Sequence, residues 1–415
     1  MPEKSPARAG SFAVAACLAG ALLLTGCAPR LALREDNAAA RSAVARLLAA
    51  ARLVCENDPE RALVEKSVYE MVYYLEARYG AKSLAAWLAQ VESGRTPGRA
   101  AVEVYRKSLY QLGAEAIHAL TRDRTRTAGP LLPHAAGDYE VFFDETSVVS
   151  GAYPYIERQL LRYADGLRQY LAESPHLREK YEAARERLFR EKVLVFLLDD
   201  FPRIKEYFGD SPAIAQTSIG YRMDESTRTF RLYAQMSFRY AGALSLATLT
   251  HEMTHVIYIL ARLTPEQLQA YPADEPGIIQ KLKSLISRLE LTGGGLLGEG
   301  LAEYLSAEQN LLYRCGLLDD VDDDLRASLS LRPLQLDGRE WQKWIDSRDT
   351  DQRVLAYQLA HSWSRYLIRR FGKSRFMELT GTAARDADFQ RVLGQNQETL
   401  LGEWMQTLQG RPGDR

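Results

Sequence analysis

The chain is short of cysteine, of histidine and of net charge: it has four cysteines, six histidines and a formal net charge of −1 in 415 residues. Acidic and basic residues are interspersed, which leaves no electrostatic basis for binding nucleic acid. An uninterrupted apolar segment of membrane-spanning length is also missing near the start, because the run from Phe12 to Leu24 is too short to cross a bilayer. What remains, 46% hydrophobic and 26% charged residues, fits a globular exported protein.

Lys4 and Arg8 ahead of that short run, followed by small residues, read as a secretory signal over residues 1–26. The run ends in Leu24-Thr25-Gly26-Cys27, which looks like a bacterial lipobox and implies cleavage before Cys27 and lipidation of its thiol. More than one acyl chain there would give stable membrane anchoring, whereas a single chain holds marginally. Ala28 is not the aspartate associated with inner-membrane retention, so the expected location is the outer membrane, facing the periplasm. Losing Glu3, Lys4 and Arg8 leaves the mature chain near −2. Cys17 leaves with the signal, so Cys55 and Cys315 remain, either paired in the oxidising compartment or present as buried free thiols.

The fold class expected is α+β and mostly helical. Residues 27–120 read as an all-α region, with helices near Asn37–Leu53, Glu60–Arg78, Ser83–Glu92 and Pro97–Leu120 and breaks at Gly80 and Gly94. His118 in this region reads as a packing residue. Thr121 to Gly137, with two prolines and two glycines, reads as a linker that includes His134. Residues 138–410 then form a second domain. It opens with a strand at Tyr139–Asp144, helices near Tyr153–Leu171 and Leu177–Glu191, and an apolar strand at Val193–Leu198 that reads as central and buried on both faces. A short helix near Phe201–Phe208 and a hairpin of Ser218–Met223 with Thr229–Met236 follow. Tyr74-Leu75-Glu76-Ala77-Arg78-Tyr79-Gly80 is echoed by Tyr366-Leu367-Ile368-Arg369-Arg370-Phe371-Gly372, read here as two helices ending in similar caps.

Two of the six histidines stand in His251-Glu252-Met253-Thr254-His255. On a helix, positions i and i+4 share a face, so both imidazoles can address one ion while Glu252 stands beside them. H-E-x-x-H on a helix is a zinc-hydrolase pattern in which the glutamate serves as general base. Leu246, Leu249, Met253, Val256, Ile257 and Leu260 supply the buried stripe such a helix needs. Gly298-Glu299-Gly300-Leu301-Ala302-Glu303-Tyr304 follows 44 residues later, counted from His255 to Glu299. Glu299 suits the third ligand position, and Glu303, one turn on, can accept the free ring N–H of a ligand histidine.

H-E-x-x-H followed by E-G-x-A-E-Y resembles the gluzincin metallopeptidases of the peptidase MA-like, thermolysin-type group, over roughly Asp138 to the C-terminus. The resemblance implies a thermolysin-like zincin domain with one Zn2+ per chain held by His251, His255 and Glu299, Glu252 as the catalytic carboxylate and Glu303 behind the ligands. It also implies peptide-bond hydrolysis of a peptide or protein substrate, with a Tyr or His from the C-terminal helices steadying the oxyanion. Tyr357 and His361, at i and i+4 within the helical stretch Trp341–Arg370, are the candidates for that role. The strand leading into the helix, around Tyr233, Ala234 and Gln235, would pair with an extended substrate. The glycine-rich Thr292–Gly298 departs from the family pattern and reads as punctuation between helices. Asp319–Asp324 lacks the spacing of an EF-hand and reads as a solvated helix start. The alternative to an enzyme is a non-catalytic lipoprotein of the same fold, acting as a binding or assembly scaffold.

Overall fold

The structure, a computed structural model, describes residues 37–50, 58–122, 129–187, 192–209, 211, 213–242, 245, 248–261, 263, 271–293, 295–309, 321–323, 325–326, 338–345, 347, 349–382 and 384–409. The signal, the lipobox with Cys27, Leu246, Cys55 and Cys315 lie outside them. The molecule is mostly helical with one small mixed sheet, an α+β arrangement. Among the described residues no helix is long and apolar enough to cross a membrane.

Among the described residues, five helices precede the sheet: α1 (Ala38–Ala50), α2 (Asp58–Tyr79), α3 (Ala81–Glu92), α4 (Pro97–Tyr105) and α5 (Leu109–Arg122). They enclose a core of their own, in which Val64, Val68, Val72 and Leu75 of α2 meet Trp87 and Leu112. The single helix expected over 97–120 is two helices, because Arg106 adopts the left-handed conformation (φ 60°) and ends α4.

The sheet runs in the order β1-β2-β3-β5-β4, with β1 (Leu131–Ala136), β2 (Tyr139–Asp144), β3 (Val193–Leu198), β4 (Ala215–Asp224) and β5 (Thr229–Arg239). β2, β3 and β5 are mutually parallel, whereas β1 and β4 run antiparallel to their neighbours at the two edges. The expected linker is therefore corrected: its residues 131–136 form edge strand β1, joined to β2 through a two-residue turn at Gly137 (φ 58°). Pro133, which lacks an N–H, is tolerated there because an edge strand leaves one side unpaired. A second correction concerns the substrate edge. Tyr233, Ala234 and Gln235 are already paired with Gly220, Ile219 and Ser218, so the free edge belongs to β4.

Helices α6 (Val148–Ala172) and α7 (Pro175–Arg187) follow β2, and α8 (Phe201–Phe208) follows β3. Ser147 caps α6 by accepting the Val149 N–H, and Asp200 caps α8 by accepting that of Arg203. After β5 comes α9 (Leu249–Ala261), which packs against α7, α11 and the β4 edge of the sheet. Between the two motifs the described residues form a two-residue strand, β6 (Tyr271–Pro272), on β5 and a helix, α10 (Ile278–Gly293). The glycine run separates α10 from α11 (Leu296–Gln309). The described C-terminal helices are α12 (Gly338–Ile345), α13 (Thr350–Phe371), α14 (Lys373–Thr380), α15 (Asp386–Leu393) and α16 (Gln397–Gln409). Asp322, from the acidic run, is buried and accepts a hydrogen bond from the Ser362 hydroxyl.

The sequence echo extends well beyond its seven residues. Helices α2 and α13 are both 22 residues long. Each ends at a glycine that also caps the next helix, with φ/ψ of 84°/157° at Gly80 and 85°/157° at Gly372. Two shorter helices follow in both places, and the second ends in a left-handed residue, Arg106 or Gly394, three positions ahead of the last helix. The seventh residue of that last helix is a glutamate in both units. Tyr74 donates to Glu115 at 2.9 Å, and Tyr366 donates to Glu403 at 3.0 Å. The likeness is one of four helices, not of two caps.

Candidate metal centre

Every residue of α9 from Leu249 to Leu260 is buried, so the polar side chains of the motif are held in place by packing on all sides. His251 and His255 project from successive turns. Their Nε2 atoms lie 2.9 Å apart, and each is 3.2 Å from Oε2 of Glu299, supplied by α11. Metal–donor bonds of about 2.0–2.1 Å in a tetrahedron place neighbouring donor atoms roughly 3.3 Å apart. The three edges of this triangle are close to that length. Glu299 Oε2 is buried and makes no hydrogen bond of good geometry, although it faces two ring nitrogens. A buried acceptor left in that state is costly, and a divalent cation at the centre of the triangle would satisfy it. His251, His255 and Glu299 are the group among the described residues whose donor atoms converge closely enough to hold a metal ion.

Glu303, one turn along α11, lies 2.9 Å from Nδ1 of His251. That contact puts the ring proton on Nδ1 and leaves the Nε2 lone pair pointing into the triangle. Glu252 is held from the sheet: Thr217 of β4 donates its hydroxyl to Glu252 Oε2 at 2.6 Å and also lies 3.2 Å from the Glu252 carbonyl.

Electrostatics tie the group together. Burial disfavours the imidazolium of His251, but the adjacent Glu299 and Glu303 carboxylates outweigh it and hold the ring well above the ordinary histidine range. Burial likewise opposes ionisation of Glu299, and the two histidines overcome it, so the carboxyl sits well below its usual range. With no cation present, the cluster is thus built to retain a positive charge at its centre.

No family model, curated protein or solved structure matches the chain. The centre is therefore argued from its own geometry.

The C-terminal helices close over it. Tyr357 of α13 is half-buried, with its ring edge-on to His251 at 5.6 Å between centroids. Burial and the Glu299 and Glu252 carboxylates push its phenol ionisation upward, against the opposing effect of Arg353, so it remains a donor. His361, one turn further, is buried with its ring edge-on to Tyr304 at 6.4 Å. The structure thus brings Tyr357 beside the ligand histidines and His361 beside the tyrosine of the second motif. His134 stacks on Phe143 at 4.2 Å, in β1 and far along the sheet from β4.

Close approach of α11 and α13 makes this possible, and Gly300 permits it. A Cβ at Gly300 would collide with the Ala360 carbonyl and the Ser364 hydroxyl. Sequence reasoning overlooked Gly300, Thr217 and Arg353. A glycine between two motif glutamates inside a helix was a usable sign of close backbone approach. Thr217 carried no such sign.

Proposed function

We propose that this protein is a zinc-dependent hydrolase of peptide bonds with a thermolysin-like arrangement of sheet, active helix and C-terminal helices. The observation that carries the reading is the triangle of two Nε2 atoms and one carboxylate oxygen, with Glu252 one residue from the first ligand. His251, His255 and Glu299 would hold the ion, and Glu303 would keep His251 in the ligating tautomer. Zinc, when bound, supplies Lewis acidity toward a carbonyl and acidifies water.

The protein residues divide the remaining work. Thr217 occupies Glu252 Oε2, leaving Oε1 to take a proton from the attacking water and deliver it to the leaving amine. Tyr357, kept protonated by its surroundings, donates toward the oxygen on which negative charge develops. An extended peptide added to the free edge of β4 would run alongside Thr217 and so beside Glu252. His361 is assigned no step. The same proposal includes the lipid anchor at Cys27 and an outer-membrane, periplasm-facing location, tested by release of a Cys27→Ala variant from the membrane fraction.

Elemental analysis of the purified mature protein should find about one zinc per chain. Glu252→Gln should retain that zinc while turnover of a denatured-protein library falls at least about a hundredfold. Wild-type rates in that variant would remove Glu252 as the base, whereas an inert preparation that takes up no zinc would favour the scaffold reading.

A further inference from the structure

Arg353 stands one helical turn before Tyr357, whose ring borders His251, and has no assigned role. It is half-buried in the first turn of α13, where the helix dipole disfavours a cation. It lies at i−4 from Tyr357 on the same helix face, and its charge acts on the Tyr357 hydroxyl, easing its ionisation. The Tyr357 hydroxyl is in turn within the influence of Glu299 and Glu252. Among the described residues no carboxylate pairs with Arg353. Asp351, the nearest acid on its helix, is engaged instead by Lys107 at 3.2 Å.

The matching helix shows what a structural arginine looks like at this position. Aligning Gly80 with Gly372 sets Arg61 opposite Arg353 and Glu65 opposite Tyr357. Arg61 is exposed and donates to Glu65 at 3.1 Å, a solvated i,i+4 pair. Beside the metal centre the arginine is kept, the acid is replaced by the phenol, and the guanidinium is left without a carboxylate partner among the described residues.

We propose that Arg353 determines substrate specificity by binding a carboxylate of the substrate, either a free C-terminus or an acidic side chain, within about one residue of the cleaved bond. Guanidinium and carboxylate meet in a charge-assisted, two-point geometry that a lysine reproduces only in part. The inference rests on the hydrolase reading but is tested by binding, not turnover.

The zinc-treated Glu252→Gln protein is titrated calorimetrically with three short peptides of one sequence: a free C-terminal carboxylate, a C-terminal amide, and an amide whose last residue is glutamate. At least one acidic peptide should bind roughly tenfold tighter than the plain amide, the worth of about one charge-assisted hydrogen bond. Preference for the free acid identifies the chain terminus as the source, and preference for the glutamate peptide identifies the side chain. Adding Arg353→Gln should erase the difference, and Arg353→Lys should restore part of it. The proposal is overturned if the three peptides bind alike or not at all, if discrimination survives Arg353→Gln, or if that change weakens all three equally, which would make Arg353 a positioning residue for Tyr357. Metal content of the same samples is read separately, so a protein that takes up no metal but still discriminates would overturn the hydrolase reading and reduce this proposal to carboxylate binding by Arg353.

Discussion

The two four-helix units, α2–α5 and α13–α16, share order, cap geometry and a tyrosine–glutamate bridge, yet of the two it is α13–α16 that lies against the candidate metal centre. The difference is in one stripe of side chains. On α2 the buried positions at i, i+4 and i+8 are Val64, Val68 and Val72; the matching positions on α13 are Ala356, Ala360 and Ser364. Interhelical distance follows the size of the side chains at the contact. Valines keep a neighbouring helix at ordinary spacing, whereas alanine and serine let the Gly300 turn of α11 move in, carrying Glu299 to the histidines and bringing Tyr357 over them. Shared helical order does not by itself bring Glu299 to the histidines; three small residues and a glycine allow the close approach that does.

Exchanging the stripes should break this contrast most severely. Ala360→Val places two methyl groups where α11 passes, at a stability cost of about 1–3 kcal/mol. Zinc content after dialysis should drop with it, because Glu299 is displaced from the triangle. The reciprocal Val68→Ala should cost about 2–3 kcal/mol in denaturant unfolding by opening a cavity, while zinc content stays at the parent level. Loss of metal in the second variant, or retention in the first, would remove the stripe as the cause.

A smaller effect tests the shared feature. Tyr74→Phe and Tyr366→Phe should each lower stability by about 1 kcal/mol, the worth of one hydrogen bond, and by similar amounts, since the two bridges are alike. A large disparity would mean that the second unit draws support from elsewhere.

The least effect is one of pH and concerns only the metal side. The folded-state ionisation of His251 is raised, so its contribution is complete below the unfolded value of about 6.5 and drains away as pH rises through the folded value. Glu299, being lowered, contributes above its unfolded value of about 4.3 and loses that only as pH falls. Metal-free protein should therefore lose thermal stability as pH rises above about 6.5, and the zinc-loaded form should lose less, because the cation takes the place of the proton. Identical pH profiles for the two forms would contradict the charge assignment.

Much of the centre was legible because its ligands are spaced by helical periodicity. His251 with His255, and Glu299 with Glu303, are each an i,i+4 pair, and local spacing alone sets such pairs on one face. β3 was legible for a similar reason, since a six-residue apolar run fits a strand covered on both sides. Thr217, Ala360 and Arg353 were not, because each matters through a partner distant in sequence. β1 was hidden by being an edge: Pro133 and the exposed Leu132 mask the alternation that a half-buried strand would show. The repeat was underestimated because it survives in helix lengths and backbone angles and in few shared residues.

Lys107 and Gln111 grip Asp351 at the start of α13, and Ser108 lies 3.5 Å from Gln358 further along it. The leading helices thus act as a splint on the very segment that presents Arg353 and Tyr357. A fragment trimmed to begin at β1 would keep every ligand and lose that brace, so its front turn should fray. For anyone shortening the gene to its chemically interesting half, the part that looks dispensable is the part that keeps that turn in shape.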